Sequence, residues 1–236
     1  MRKQLKSVTL EERRDSSSVI ITEEVPKVPF PDCAAVTKYS SIDHKIRLAF
    51  TLTDAEKDLP IHELYDRIIA DEQRNELIFD DLLKALDKGR SPILLTDRTS
   101  HLEYFERRLQ GFAKNIIVLR GGMRKKQWKQ VQEKIRSIPG DQERVMLATE
   151  RFAGEGFDDA RLDTLFLVMP FSWKGTLHQY AGRLHRLYEG KREVQIYDYV
   201  DDRVPLFKRM HSKRSSGYTS LGYTVQQSAM DDGRGD

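Results

Sequence analysis

Residues 145–186 read VMLATERFAGEGFDDARLDTLFLVMPFSWKGTLHQYAGRLHR, and this stretch decides the predicted fold. Its two apolar runs, Val145–Ala148 and Leu165–Met169, have the length of strands and contain no polar alternation. Strands that are apolar on both faces are typical of parallel sheets covered by helices on each side. The stretch therefore predicts two buried strands joined by a long loop, followed by a helix that carries residues 178–186, HQYAGRLHR.

The same alternation of strand and helix extends on both sides of this stretch. Further strands are predicted at Pro92–Leu95, Asn115–Leu119 and Val194–Tyr199, and helices at Ser100–Leu109, Lys125–Arg136 and Val204–His211. This alternation predicts an α/β fold with a parallel sheet and helices on both faces. Ligands of such sheets lie at the carboxyl ends of the strands, which here are Thr96, Gly121, Thr149 and Phe171.

The remaining segments flank this α/β region. Leucines and isoleucines recur at helical spacing from Ile61 to Leu86, and Gly89 ends the pattern. We predict a domain over residues 61–225, a flexible arm over 1–18 and a small β-rich appendage over 19–60. The appendage is inferred from short β-like runs, such as Lys45–Leu52, among several prolines. Residues 226–236 are polar and are predicted to be a disordered tail.

Composition excludes several classes of protein. The 236 residues carry a net charge of +3, which is compatible with nucleic acid without identifying it. Cys33 is the only cysteine, so an intramolecular disulfide and a cysteine-based zinc site are excluded. No apolar run is long enough to span a membrane, and a cytoplasmic location is expected. The histidines lack metal-ligand spacing and are expected to be surface or capping residues; they include His101, His178, His185 and His211.

Residues 178–186 contain a candidate anion site. On a helix, Gln179, Arg183 and Arg186 would project from one face, since they are spaced by four and three residues. Adjacent guanidiniums repel each other unless an anion with several oxygens, such as a polyphosphate, lies against them. The alternative is a solvated basic face of a helix.

The loop between the two quoted strands is a second candidate. Gly154 and Gly156 allow the backbone to approach a ligand closely, and Asp158 and Asp159 follow directly, with Arg161 close by. The alternative is an ordinary connection with a glycine hinge.

A basic stretch at residues 124–136, RKKQWKQVQEKIR, allows two interpretations. It could lie along a nucleic-acid backbone. The spacing favours an amphipathic surface helix that packs Trp128, Val131 and Ile135 inward.

Together these pieces resemble a known family. ILLTDRTSHLEYFERRL (residues 93–109), a strand ending in RGG (120–122), the stretch quoted first and its HQYAGRLHR occur in the order of the C-terminal RecA-like domain of superfamily-2 helicases. The likeness is to the restriction-subunit (Res or type III) and XPB-like DEAD/DEAH helicases, and it covers about residues 61–223. It implies a fold of the P-loop NTPase superfamily and the function of one half of an ATP-dependent DNA helicase or translocase.

The resemblance also implies roles for individual residues. Arg183 and Arg186 would be arginine fingers that stabilise the transferred phosphoryl group, with Gln179 as their polar partner. Gly156, Asp158 and Gly182 would take part in nucleotide binding. The implied contacts to the sugar-phosphate backbone are Thr96, Arg98, Gly121, Gly122 and Thr149.

One departure from the family matters. The sequence contains no G-x-x-x-x-G-K-[ST], and Ala70–Gln73, although it imitates a DEAx box, lies inside the helical period. We therefore expect ATP with Mg²⁺ to be bound mainly by a partner N-terminal RecA-like half, on a longer chain or a separate subunit, and the isolated half to be inactive. The alternatives are a non-catalytic RecA-like module that binds nucleic acid or protein, and a different phosphate-handling α/β enzyme.

Overall fold

The computed structural model describes residues 39–46, 59–149, 159–171, 180, 182–220 and 223–229. Within them, seven parallel strands form one sheet in the order β3-β4-β2-β5-β6-β1-β7. The strands are β1 (Tyr39–Ile46), β2 (Pro92–Thr96), β3 (Ile116–Leu119), β4 (Val145–Thr149), β5 (Thr164–Leu167), β6 (Glu193–Val200) and β7 (Thr224–Ala229). The predicted parallel sheet is confirmed, and the predicted strands of the α/β region end within two residues of the observed ones.

Helices connect the strands by crossovers. They are α1 (Ile61–Ala70), α2 (Glu72–Asp87), α3 (Thr99–Leu109), α4 (Lys125–Ser137) and α5 (Pro205–Ser220). The connections β2-α3-β3 and β3-α4-β4 run in opposite directions across the sheet, so right-handed crossovers place α3 and α4 on opposite faces. Arg98 rather than Ser100 precedes the first turn of α3, and its side chain makes no capping hydrogen bond.

The core is continuous because the central strands are buried on both faces. Every residue of β2 and β5 is buried, as are the first four residues of β4. Helix α4 covers part of this sheet, since Ile135 is buried and Trp128 and Val131 pack against the core. The amphipathic interpretation of residues 124–136 is therefore confirmed.

The predicted helical run from Ile61 to Leu86 is two helices that meet at Asp71. The carboxylate of Asp71 accepts a hydrogen bond from the backbone N–H of Arg74 and so caps α2. Ala70–Gln73 therefore spans a helix junction, with α1 rather than a strand directly before it, and its likeness to a DEAx box is a coincidence of sequence.

Two flanking segments differ from the prediction. Tyr39–Ile46, placed by the sequence in the appendage, is the second strand from one edge of the main sheet and pairs with β6 and β7. Residues 226–229, placed in the disordered tail, belong to β7. Both strands consist mostly of polar residues. Backbone hydrogen bonds to neighbouring strands hold them, and such bonds require no apolar pattern in the sequence. The rest of the predicted arm, appendage and tail lies outside the described residues, apart from Leu59 and Pro60.

Helix α5 continues nine residues beyond its predicted end at His211. Its second half is held by Arg214, which makes two hydrogen bonds to the buried carboxylate of Asp198 on β6, at 2.8 and 3.0 Å. The hydroxyl of Tyr218 donates to the same carboxylate at 2.9 Å.

Among the described residues, no helix has both the length and the apolar character needed to cross a membrane.

Candidate functional site

The carboxyl ends of three adjacent strands bring several predicted residues together. Thr96 and Thr149 are register partners at the ends of β2 and β4. The backbone N–H of Gly121, just after β3, donates to Oγ1 of Thr149 at 3.1 Å. Gly121 and Gly122 are exposed, and Gly122 has a φ of 78°, which disfavours any side chain at this position. We call this row of strand ends, from Gly122 through Thr149 to Arg98, the strand-end row.

Thr96 lies beneath the strand-end row rather than on its surface. Its side chain is fully buried, and Oγ1 lies 3.1 Å from Nδ1 of His101. Oγ1 also accepts the backbone N–H of Arg98 at 3.3 Å. The hydroxyl is thus engaged inside the protein, where it fixes the turn that leads from β2 to Arg98.

His101 connects this turn to the junction of α1 and α2. Nε2 of His101 lies 3.0 Å from Oδ1 of Asn75, and Nδ2 of Asn75 donates to the carbonyl of Ile69 at 2.7 Å. Because the amide N–H₂ of Asn75 faces a carbonyl, its oxygen accepts, and Nε2 of His101 carries the hydrogen. Nδ1 then accepts from the hydroxyl of Thr96. We call this chain, from Ile69 through Asn75 and His101 to Thr96, the buried relay.

The imidazole of the buried relay is neutral. Burial, and then the positive charge of Arg74, lower the pKa of His101 from 6.5 to about 3. His101 is fully buried, so the expectation of a surface or capping histidine was wrong. The helical spacing places it on the same face as Phe105 and Leu109, which are also buried.

Arg98 ends the strand-end row. Its guanidinium carbon lies 5.5 Å from the centre of the Tyr65 ring, and its Nε is buried without a hydrogen-bond acceptor. Among the described residues, no carboxylate lies within 4 Å of this guanidinium. Arg98 is therefore a partly buried cation held by an aromatic face instead of a counter-charge.

The arginine segment lies in a different part of the domain. Tyr180 and residues 182–184 are helical, and Arg183, partly buried, borders a small apolar pocket with Ile93 and Leu162. Arg186 lies beyond the helix, in a turn closed by a hydrogen bond from its N–H to the carbonyl of Arg183 at 3.3 Å. Arg186 therefore follows the last helical residues by one turn, and its side chain is exposed. The shared face of the two arginines stays a prediction. Gln179 lies outside the described residues.

His185, between the two arginines, points into the protein. Its Nε2 lies 2.6 Å from the hydroxyl of Tyr223, and both side chains are buried. Burial, followed by the charge of Lys191, lowers the pKa of His185 to about 4, so this ring is also neutral at pH 7. The ammonium of Lys191 donates to the carbonyl of Arg186 at 3.1 Å. The arginine segment is thus held at two points by residues outside it, and the expectation for His185 was wrong as well.

The predicted glycine-rich loop is described only at its end. Gly156 and Asp158 lie outside the described residues. Asp159 is buried and accepts two hydrogen bonds from the guanidinium of Arg161, at 2.8 and 2.9 Å. The same guanidinium donates to the carbonyls of Ile135 and Ile138 at the end of α4. This part of the loop anchors structure. Gly182 is part of the helical residues of the arginine segment, and among the described residues a Cβ there would meet no atom within 4 Å.

The described residues contain no group of three or more histidine, cysteine, aspartate or glutamate side chains that could hold a metal ion.

Comparison with known proteins bears on the domain as a whole. Residues 75–188 match the family model described as the helicase conserved C-terminal domain. The crystal structure of UvsW from T4 aligns with a TM-score of 0.61 at 12% identity, over 80% of this chain and 42% of that chain. The C-terminal domain of the DEAD-box protein Dbp5 aligns with a TM-score of 0.51 at 15% identity, over 84% of this chain and 92% of that chain. No curated protein is similar in sequence. At these identities the structural likeness concerns the fold, and the chain spans less than half of the UvsW structure.

Proposed function

Because residues 75–188 belong to the helicase conserved C-terminal domain family, the C-terminal RecA-like domain of superfamily-2 helicases, we propose that this chain is one half of an ATP-dependent nucleic-acid motor. In this proposal a partner N-terminal half binds ATP with Mg²⁺. This chain supplies the arginines of the hydrolytic site and holds the backbone of the nucleic acid. The observation that carries the proposal is the strand-end row, where Gly121, Gly122, Thr149 and Arg98 meet at one edge of the sheet.

The strand-end row suits a sugar-phosphate backbone. Neighbouring strands are about 4.8 Å apart, so the row brings polar groups from three adjacent strands close together along one edge of the sheet. The exposed backbone at Gly121–Gly122 and the hydroxyl of Thr149 would contact phosphates near β3 and β4, and Arg98 would contact one near β2. Such contacts position a strand without reading its bases. We propose DNA as the strand because the sequence resembles restriction-subunit helicases.

The arginine segment would act on the nucleotide. An exposed guanidinium at Arg186 and a partly buried one at Arg183 would approach the γ-phosphate when the partner half closes. They would stabilise charge that develops during phosphoryl transfer. Gln179, Gly156, Asp158 and Gly182 keep their proposed roles around the nucleotide, and Mg²⁺ would be held mainly by the partner half.

Strand binding can be tested on this chain alone. Fluorescence anisotropy with labelled single-stranded DNA and RNA, over a series of salt concentrations, should give affinities that are independent of sequence. The logarithm of the association constant should fall linearly with the logarithm of salt, by about 0.7 for each phosphate neutralised. Failure to bind either strand at low salt would contradict the proposal.

The arginine assignment is tested by ATP hydrolysis of the protein together with its partner half. Arg186→Ala should lower kcat by about 1000-fold or more, as for other arginine fingers. Arg209→Ala, an exposed arginine on α5, is the matched control and should leave turnover unchanged. If Arg183→Ala and Arg186→Ala both keep full turnover while strand binding is retained, the non-catalytic binding module is the better description.

A further inference from the structure

Tyr65 on α1 is fixed in place by contacts on several sides. Its hydroxyl donates to the carbonyl of Pro170 at 3.2 Å, which ties it to the segment after β5. Its ring stacks on Phe207 of α5, with the centroids 6.0 Å apart and the planes 25° from parallel. The guanidinium of Arg98 lies over the same ring. Tyr65 therefore joins three separate elements to the end of the strand-end row.

The geometry of Arg98 is that of a cation prepared for an anion. A guanidinium stacked on an aromatic face keeps its N–H donors in the plane of the group, free to form paired bonds to two oxygens. In the described part of the chain, the buried Nε of Arg98 has no hydrogen-bond acceptor. A partly buried cation without a counter-charge is costly, and an incoming phosphate would relieve that cost.

A second arginine in the same domain shows the contrast. Arg108 also lies over an aromatic ring, 4.5 Å from the centre of Phe79, but it is neutralised by Glu76 at 2.7 Å. Arg108 thus has the same stacking and a complete ion pair. Arg98 has the stacking alone.

We propose that Tyr65 is the positioning residue that holds Arg98 in the orientation needed to grip a nucleic-acid phosphate. The ring attracts the guanidinium, whose carbon lies 5.5 Å from its centre, and the hydrogen bond to Pro170 fixes the ring. Binding then requires little further ordering of the long arginine side chain, which lowers its entropic cost. This inference rests on the proposed strand binding and names the residue pair through which one end of the strand-end row acts.

The experiment measures binding of fluorescein-labelled single-stranded oligothymidylate to this chain by anisotropy at several salt concentrations. Arg98→Gln should weaken binding about tenfold and reduce the salt slope by about 0.7, the loss of one phosphate contact. Tyr65→Leu should weaken binding about threefold to tenfold, since cation–π contacts have that order of strength. Tyr65→Phe, which keeps the ring, should retain most of the affinity. Arg108→Gln, the matched control, should bind like the unaltered chain.

A double-variant cycle separates positioning from general damage. In the Arg98→Gln background, Tyr65→Leu should cause no further loss, because the residue it positions is already gone. An equal loss in both backgrounds, or normal binding by Tyr65→Leu alone, would overturn the inference while leaving strand binding intact. Normal binding and an unchanged salt slope for Arg98→Gln would overturn it too. If the unaltered chain does not bind the oligonucleotide, the proposed function itself fails.

Discussion

Replacing His101 by leucine should destabilise the fold by about 2 to 6 kcal/mol. The imidazole of His101 bonds Thr96 at 3.1 Å and Asn75 at 3.0 Å, and all three side chains are at most 1% exposed. Leucine fills a similar volume but leaves the hydroxyl of Thr96 and the amide oxygen of Asn75 without partners. Each buried polar group left unpaired costs about 1 to 3 kcal/mol, which gives the stated sum. Domains are stable by only about 5 to 15 kcal/mol, so the effect is easily measured.

The assay is urea unfolding at pH 7, followed by circular dichroism and fitted with a common m-value. His62→Leu is the matched control, because the side chain of His62 is 64% exposed and its loss should change stability by less than about 0.5 kcal/mol. The double variant Thr96→Val/His101→Leu removes one of the two stranded groups. It should be more stable than the sum of the single effects by about 1 kcal/mol or more. A His101→Leu chain as stable as the control, or strictly additive variants, would refute the buried relay.

Other predictions concern the second buried histidine and the α5 anchor. The folded chain keeps His101 and His185 neutral, with pKa values of about 3 and about 4, whereas unfolded histidine titrates near 6.5. The unfolded chain therefore binds more protons than the folded chain as the pH falls below about 6.5. The free energy of unfolding should drop by about 4 kcal/mol between pH 7 and pH 5, which urea unfolding at both pH values would measure. Tyr223→Phe removes the hydrogen bond to His185 and should lower the free energy of unfolding by about 1 to 3 kcal/mol at pH 7 in the same assay. A variant as stable as the unaltered chain would contradict this. Arg214→Ala removes the cation that pairs with the buried Asp198 and should lower the free energy of unfolding by about 3 to 5 kcal/mol. Arg209→Ala, on the exposed side of α5, should cost less. Similar thermal midpoints for the two variants would contradict this.

The sheet could be predicted because the sequences of its central strands reflect their burial on both faces. Runs such as Pro92–Thr96 are buried at every position, and a run without polar alternation is what a doubly covered parallel strand requires. The same pattern predicted where the strands end, and therefore that Gly121 and Thr149 lie at the same edge of the sheet. The outer strands β1 and β7 gave no such signal. Their polar residues join the sheet through backbone hydrogen bonds, which every sequence can form.

The contacts within the site were less accessible to prediction. Asn75 and His101 are 26 residues apart in the chain, and nothing local relates an amide in one helix to an imidazole in another. The burial of His101 did have a signal, since it precedes Phe105 and Leu109 by four and eight residues on one helical face. His185 had none, because its partner Tyr223 follows in a segment whose course the sequence did not show. The sequence likewise gave no signal that the helix ends before Arg186.

The strand-end row and the arginine segment are held by different elements, which limits how they can influence each other. Helices α1 and α2 support the row through Tyr65 and the buried relay, whereas Tyr223 and Lys191 support the arginines. Strand β2 is in contact with both sets: its Thr96 ends the buried relay, and its Ile93 lines the pocket beside Arg183. These positions are three residues apart, about 10 Å along one rigid, fully buried strand. Helix α5 also contacts both sets, since its Phe207 stacks on Tyr65 and the carbonyl of its Tyr218 accepts the backbone N–H of Tyr223 at 3.2 Å. A signal between a bound strand and the nucleotide that stays within this domain therefore has two such routes, β2 and α5. Variants on α1 should then alter strand affinity first and hydrolysis only through that affinity.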